Sequence, residues 1–401
     1  MNTVLFLGAG ATKAQWDWES ERHALNKLHE NAKSDSYPFF PVPLRSDFLS
    51  KAKLSEREFQ SVEKWASASH ISVEELEDLF TALCNGAVEP DGDEQTKQSW
   101  HDLLICYRKV IGCSTNVMTL PLASPLPDLI KKLSRIEAVV TTNQDLVFER
   151  ALLRTIPPVK CEPYANPMDE TSSATVLNAH QLIPRPVPPQ ERFRRQKTIN
   201  LRSRRFDARL SDYYALRLDN QVLCRKTEQG KTYRQLARNG WPEVPVLKIH
   251  GSLNWWYASK AERDPAPKYP NVVFLMADED VPVGAPVIWD NPPEPFLYPV
   301  IVPFVRDKKK FIEGLLEPVW EAAEREMSTC QRLVVVGYHL ADDDKEAQEL
   351  FSNALKGSNP PSRVDVINTC EDDFNAVRHL ITPTLTKCKH YYSIEKYLDA
   401  D

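Results

Sequence analysis

Apolar residues arrive along this chain in short unbroken runs, and each run ends in glycine or a small polar cluster. TVLFL (3–7) is the first. It is too short for a helix, is bounded by Gly8, and predicts a fully buried strand. Residues 13–36 are charged and predict a helix, with Trp16 and Trp18 near its start; a proline-rich break, YPFFPVP (37–43), follows. Helical patterning then runs to about residue 120. Its clearest stretch is SVEELEDLFTAL (72–83). There Val73, Leu76, Leu79, Phe80 and Leu83 share one face, and Ser72 with Glu75 has capping-box spacing.

PLPDLIKKLSRI (125–136) predicts a short amphipathic helix, EAVVTTNQD (137–145) a strand with a polar end, and LVFERALLR (146–154) a helix. Strand, polar loop and helix form the unit of a parallel α/β sheet. The pattern lapses over 155–245 and returns with VPVLKIHGSLNWW (244–256) and YPVIVPF. A helix near 309–326 follows. RLVVVGYHLADDDKEAQELFSNALKGS (332–358) then predicts strand, loop and helix with Gly357 as the stop, and RVDVINTC (363–370) another buried strand. No internal repeat is visible.

Composition narrows the reading. A chain of 401 residues with 42% apolar content can bury a sizeable core, and a net charge of -6 argues against a uniformly basic nucleic-acid binder. No run of about 18 apolar residues suggests a membrane span. Met1 is followed almost at once by the first strand, so no signal peptide is expected. The cysteines (84, 106, 113, 161, 224, 330, 370, 388) form no CxxC pair, which points to a reduced, cytoplasmic protein without a zinc ribbon or other metal site. Charge concentrates in RFRRQKTINLRSRRFDAR (192–209), with seven Arg and one Lys against one Asp. This run reads either as a solvated insertion or as a docking surface for an acidic partner, nucleic acid or a neighbouring subunit.

Five polar clusters recur at the carboxyl ends of the predicted strands: GAGAT (8–12), TTNQD (141–145), HGSLN (250–254), GYHL (337–340) and INT (367–369). Ligands of open parallel sheets bind off those ends. GAGAT is either a tight turn or a loop whose Gly8 and Gly10 let the backbone approach a pyrophosphate at a helix N-terminus; Lys13 stands where a dinucleotide fingerprint has its third glycine. Asn143 and Asp145 read as helix caps or as an amide and carboxylate facing a ligand. His250, between a hydrophobic strand and Gly251, is a satisfied buried histidine or a general base.

Taken in this order, the clusters resemble the catalytic core of sirtuins, and most of all its bacterial sirtuin-like branch of antiphage defence proteins. The resemblance rests on Gly8-Ala9-Gly10-Ala11-Thr12, Thr142-Asn143-Gln144-Asp145, His250-Gly251, Gly337-Tyr338-His339-Leu340 and Ile367-Asn368; KIHGSLNWW is especially like that branch. It implies one sirtuin-like domain over 1–401, α/β in class, with a Rossmann-like parallel sheet and helices on both faces. The core would comprise 1–12, 126–154 and 244–401. A helical insertion would occupy about 13–125 and a basic, proline-rich insertion about 155–243.

The resemblance also implies NAD as a substrate. Gly8, Ala9, Gly10 and Thr12 would hold the pyrophosphate and adjacent ribose. Thr142 and Gly251 would also bind the NAD, the catalytic Asn143 and Asp145 would lie at the nicotinamide ribose, and His250 would be the base. Gly337 and Asn368 would meet the adenosine half; His339 stands where the family often has Ser. Family deacylases carry two zinc-binding CxxC pairs, which this chain lacks. Water is therefore the favoured acceptor, giving NAD hydrolysis to nicotinamide and ADP-ribose. A zinc-less deacylase or ADP-ribosyltransferase, and a non-catalytic NAD or ADP-ribose-binding subunit of a nuclease–ATPase complex, are the alternatives. The branch further implies a homo-oligomer, depletion of host NAD after infection, and a partner ATPase of the HerA translocase type.

Overall fold

The computed structural model describes residues 2–22, 48–52, 56–89, 92–115, 118–133, 136–155, 199–200, 244–259, 274–275, 285–288, 296–313, 316–340, 344–357, 359–381 and 387–400. The expected break at 37–43 lies outside them. So does the 155–243 insertion with its basic run, apart from residues 155 and 199–200.

The central sheet contains β1 (Thr3–Leu7), β2 (Ile136–Thr141), β4 (Val246–Lys248), β9 (Arg332–Val336), β10 (Arg363–Ile367) and β11 (Lys387–Tyr391), in the order β11-β10-β9-β1-β2-β4. Every pairing in it is parallel. Successive strands step one way from β1 to β4, and then the other way from β9 to β11. The reversal falls between β1 and β9, which is the topological switch point of a Rossmann-like sheet. Parallel strands buried on both faces need unbroken apolar runs, and the five residues of β1 are all buried, as the sequence predicts.

Crossover helices cover the sheet in two groups. One comprises α1 (Ala9–Arg22), α6 (Pro125–Lys132), α7 (Val147–Thr155) and the C-terminal α12 (Ile394–Leu398); the other comprises α9 (Glu317–Thr329) and α10 (Lys345–Lys356). The segment 48–115 adds α2 (Phe48–Ala52), α3 (Glu56–Ala68), α4 (Leu76–Val88) and α5 (Glu94–Thr115), with α5 packed against the other three. Phe48, Phe80 and Tyr107 of this insertion meet Phe304 at ring-centroid distances of 5.4–5.8 Å, so the insertion shares its core with the segment after β8 (Phe296–Ile301). Polar α1 is also anchored: buried Glu19 accepts from the backbone N–H groups of Thr119 and Leu120 at 2.7 and 2.9 Å.

A second sheet, absent from the sequence reading, has the order β3-β7-β8-β5-β6, with β3 (Ile199–Asn200), β5 (Gly251–Ser259), β6 (Phe274–Leu275) and β7 (Ala285–Ile288). Hence 244–256 divides between two sheets, β4 ending before the turn at 249–250 and β5 beginning after it.

Other boundaries move for local reasons. The helix expected over 72–83 starts at Leu76, and the Ser72–Glu75 capping box does not form. Ser72 Oγ instead accepts from the Glu74 N–H, and Glu75 makes no side-chain cap. The helix expected near 309–326 is two: α8 (Lys309–Ile312) and α9, whose first turn carries Pro318, the position where proline is tolerated. α1 begins at Ala9, directly after Gly8.

Candidate active site

Register aligns the ends of the strands. Thr141 faces Lys248 and Leu7; Leu7 faces Val336; Val336 faces Ile367; Ile367 faces Tyr391. Gly8, Thr142, Gly337 and Asn368 each follow this row by one residue, and Asn143 and His250 by two. The five polar clusters therefore leave the sheet along one edge, at the side where such folds bind ligands.

At the switch point two loops are stitched together. Gly8 N–H donates to Val336 O at 2.9 Å, and Gly10 N–H to Gly337 O at 2.8 Å. A Cβ on Gly8 would lie 2.5 Å from Gly337 O. Gly337 has φ +57°, and a Cβ there would lie 2.3 Å from the Ala11 nitrogen. The glycines thus allow backbone to meet backbone, and the Gly8 and Gly10 N–H groups are already committed. Of the loop's first residues only Ala9, at the N-terminus of α1, is exposed. Lys13 pairs with Asp17 at 2.6 Å.

The β2 loop is fixed from several sides. Thr142 N–H donates to Leu7 O at 3.1 Å. Asn143 Nδ2 donates to Gly8 O at 2.9 Å and to Thr12 Oγ1 at 3.1 Å, and the Asn143 N–H donates to Thr141 Oγ1 at 3.0 Å. Both amide protons are used, and the orientation leaves Oδ1 without a partner among the described residues. Asp145 is buried: Oδ2 accepts from Thr12 Oγ1 at 3.0 Å, and Oδ1 from the Val147 N–H at 2.9 Å. Burial raises its carboxyl above the usual range, opposed by the Lys248 ammonium. Asp145 accordingly caps the start of α7 and holds Thr12, which in turn receives Asn143. Beneath them Lys248 makes an ion pair with Glu149 at 2.7 Å, both wholly buried, and also bonds the Asp145 carbonyl.

Beside Asn143 runs the turn after β4. Ile249 N–H donates to Thr141 O at 3.0 Å and Leu253 N–H to Gln144 O at 2.9 Å, so the β2 and β4 loops are bonded on both sides of His250. Gly251 takes φ +76° against the Val300 carbonyl. Among the described residues the His250 ring has no hydrogen-bond partner, and its Nε2 is out of reach of solvent. Trp320 lies 6.1 Å from it, centroid to centroid, held by its own bond to Ile249 O at 2.7 Å. Burial pushes the His250 pKa down to about 3; Lys308 adds to the fall and Asp344 opposes it. Those two form an ion pair at 2.6 Å.

At the other end of the row the polar groups satisfy one another. Asn368 Nδ2 donates to Tyr338 O at 3.1 Å and to Asp373 Oδ2 at 2.7 Å; its Oδ1 accepts from the Cys370 N–H at 3.1 Å. Asp373 Oδ1 lies 2.5 Å from His339 Nδ1. Asn368 thus ties the β9 loop to the β10 loop, with no side-chain atom to spare.

The structure brings Asn143 and His250 into neighbouring loops, buries Asp145 and Thr12, and leaves Asn368 half-buried with its side chain engaged. It adds Lys248, Lys308, Trp320, Asp344 and Asp373, which sequence reasoning missed. Only Lys248 carried a signal, as a charge inside an apolar strand. Among the described residues no group of His, Cys, Asp or Glu is arranged to hold a metal, and no helix is long and apolar enough to cross a membrane.

No protein-family model and no curated protein matches the chain. Solved structures similar to it include a Sir2 with a p53 peptide and NAD+, at 13% identity, 99% of this chain, 90% of that chain and TM-score 0.33. Two others are Sir2Tm bound to a propionylated peptide, at 13% identity, 99% and 90% coverage and TM-score 0.35, and Sir2 bound to an acetylated peptide, at 12% identity with the same coverage and TM-score.

Proposed function

We propose that this chain is a sirtuin-like NAD glycohydrolase, releasing nicotinamide and ADP-ribose. One observation carries the reading. Asn143 and His250, in the loops after adjacent strands, each combine a fixed position with a polar atom that has no partner among the described residues. A pure binding subunit needs neither.

The chemistry suits these groups. Nicotinamide leaves NAD with the bonding electron pair and becomes neutral, so no strong general acid is required. Asn143 Oδ1 accepts a hydrogen bond from a ribose hydroxyl or from the attacking water. Of the His250 ring nitrogens only Nε2 is cut off from solvent, so the neutral ring accepts the proton at Nδ1, from that water directly or through a ribose hydroxyl. Water's oxygen bonds the ribose C1′, and the proton passes to solvent. Asp145 and Thr12 act as positioning residues for Asn143.

The deciding experiment is incubation with NAD alone and with an acyl-lysine peptide. Nicotinamide and ADP-ribose in equal amounts without peptide support hydrolysis. Strict dependence on the peptide would return the chain to the deacylases or transferases, and binding without turnover would make it a ligand-binding subunit.

We infer further that hydrolysis is switched by assembly, as a homo-oligomer or with a HerA-type ATPase, and serves antiphage defence by depleting NAD. The basic run 192–209 would be the contact, to protein or nucleic acid. Alanine at its arginines should spare the core and weaken assembly; unchanged oligomer size and partner binding would reject that role.

A further inference from the structure

Lys308 and Asp344 form a buried ion pair to which the proposed hydrolysis assigns no part. Lys308 Nζ and Asp344 Oδ2 lie 2.6 Å apart, and each side chain is 11% exposed. Lys308 ends the segment that follows β8. That segment is tied to the histidine loop at its start, where the Val302 N–H donates to His250 O at 2.8 Å. Asp344 caps α10: Oδ1 accepts from the Ala347 N–H at 3.3 Å, and Oδ2 from the Tyr338 hydroxyl at 3.4 Å. Asp373, in the first turn of α11 (Glu371–His379), is by contrast engaged by Asn368 and His339 at the other end of the row of loops. Replacing a buried ion pair by apolar side chains is often neutral or stabilising, so stability alone is a weak reason for the Lys308–Asp344 pair.

The His250 ring supplies another reason. Burial disfavours its protonated form, the Lys308 ammonium adds to that, and the Asp344 carboxylate opposes it. Asp344 responds in kind. Burial opposes its ionisation, while a charge on His250 and the Lys308 ammonium favour it, so its carboxyl stays below the usual range. Charges withdrawn from water are weakly screened, so each is felt by the others.

We propose that Asp344 is the positioning residue of the base, supporting the imidazolium of His250 from the buried side, and that Lys308 balances Asp344 while the ring is neutral. This rests on the NAD hydrolysis reading above. As nicotinamide leaves with its electron pair and the water oxygen bonds C1′, one water O–H bond breaks and its proton goes to His250 Nδ1. The cluster then passes from one cation and one anion to two cations and one anion. Without Asp344 the proton would join an unbalanced ammonium; without Lys308 it would join a lone carboxylate. Removing the first charge should slow the reaction and removing the second should speed it, whereas a pair that only braces the fold would lose by both.

Steady-state nicotinamide release by the full-length parent, Asp344→Asn, Asp344→Glu and Lys308→Met, each verified as folded, tests this. Asp344→Asn keeps the size and the helix cap and loses the charge. Its kcat should fall about tenfold or more, with KM within about twofold of the parent. Asp344→Glu keeps the charge at the expense of the fit and should recover most of the turnover. Lys308→Met should raise kcat severalfold. The double variant Asp344→Asn, Lys308→Met strands neither charge, which guards against misfolding of the single changes, and should turn over faster than Asp344→Asn alone. Slower turnover in Lys308→Met, a double variant no faster than Asp344→Asn, or an Asp344→Asn variant as active as Asp344→Glu would overturn the proposal while leaving NAD hydrolysis standing. A parent that releases no nicotinamide, alone or with a HerA-type ATPase, would overturn both.

Discussion

Asn143 and His250 occupy equivalent places on adjacent strands, each two residues beyond the facing pair Thr141 and Lys248. Parallel register makes their loops rise side by side, and the Ile249–Thr141 and Leu253–Gln144 bonds hold them there.

Asn143→Asp keeps size and shape but removes the donors to Gly8 O and Thr12 Oγ1. A carboxylate in that place faces a carbonyl oxygen at 2.9 Å. Nicotinamide release should fall at least about 100-fold, with a stability loss of about 1–3 kcal/mol. Steady-state rates beside urea melts separate the two effects; parent-like turnover would show that the amide orients nothing.

The switch point should be intolerant of a single methyl. Gly337→Ala forces a Cβ onto the Ala11 nitrogen from a left-handed backbone, and should cost at least about 2 kcal/mol. A melting temperature within about 1 °C of the parent, against several degrees expected for a change of that size, would mean that the two loops part easily.

Lys248 and Glu149 share one buried environment, so single changes should hurt more than the double. Lys248→Met takes the ammonium away from a buried carboxylate and should cost about 3–5 kcal/mol, and Glu149→Leu added to it should recover part of that. Urea denaturation of the four proteins in the cycle gives the coupling; strict additivity would contradict a mutual pair.

His250 should also mark the pH dependence. Its folded pKa of about 3 lies below the unfolded 6.5, so between those values only the unfolded chain binds the proton. This contribution to stability is complete above pH 6.5 and is lost as pH falls. The loss approaches 1.4 kcal/mol per unit, about 2 kcal/mol by pH 5. His250→Asn should lack that share of the slope. Nicotinamide release should show no limb near pH 6.5 arising from this residue; such a limb, abolished by His250→Asn, would mean that the ring titrates normally.

Much of the core was legible because buried parallel strands need apolar runs and their loop ends need polar residues; TVLFL followed by GAGAT shows both. The glycines were legible as requirements but not in purpose, since Gly8 and Gly10 answer to Gly337, some 330 residues away in sequence. Asp145 looked like a ligand group or a cap. It caps α7 and also holds Thr12, from another loop that the sequence pattern does not place beside it. The second sheet was hidden because β3, β6 and β7 are two to four residues long and carry too little pattern. Lys308 and Asp344 reach His250 from separate elements, and only tertiary structure joins them.

The most direct test of the central claim is a time course of nicotinamide release from NAD by the parent chain, Asn143→Ala and His250→Ala, each assayed alone and with a HerA-type ATPase, and each verified as folded. The account predicts steady release by the parent and a loss of at least about 100-fold in both variants. Release by both variants at the parent rate would contradict it.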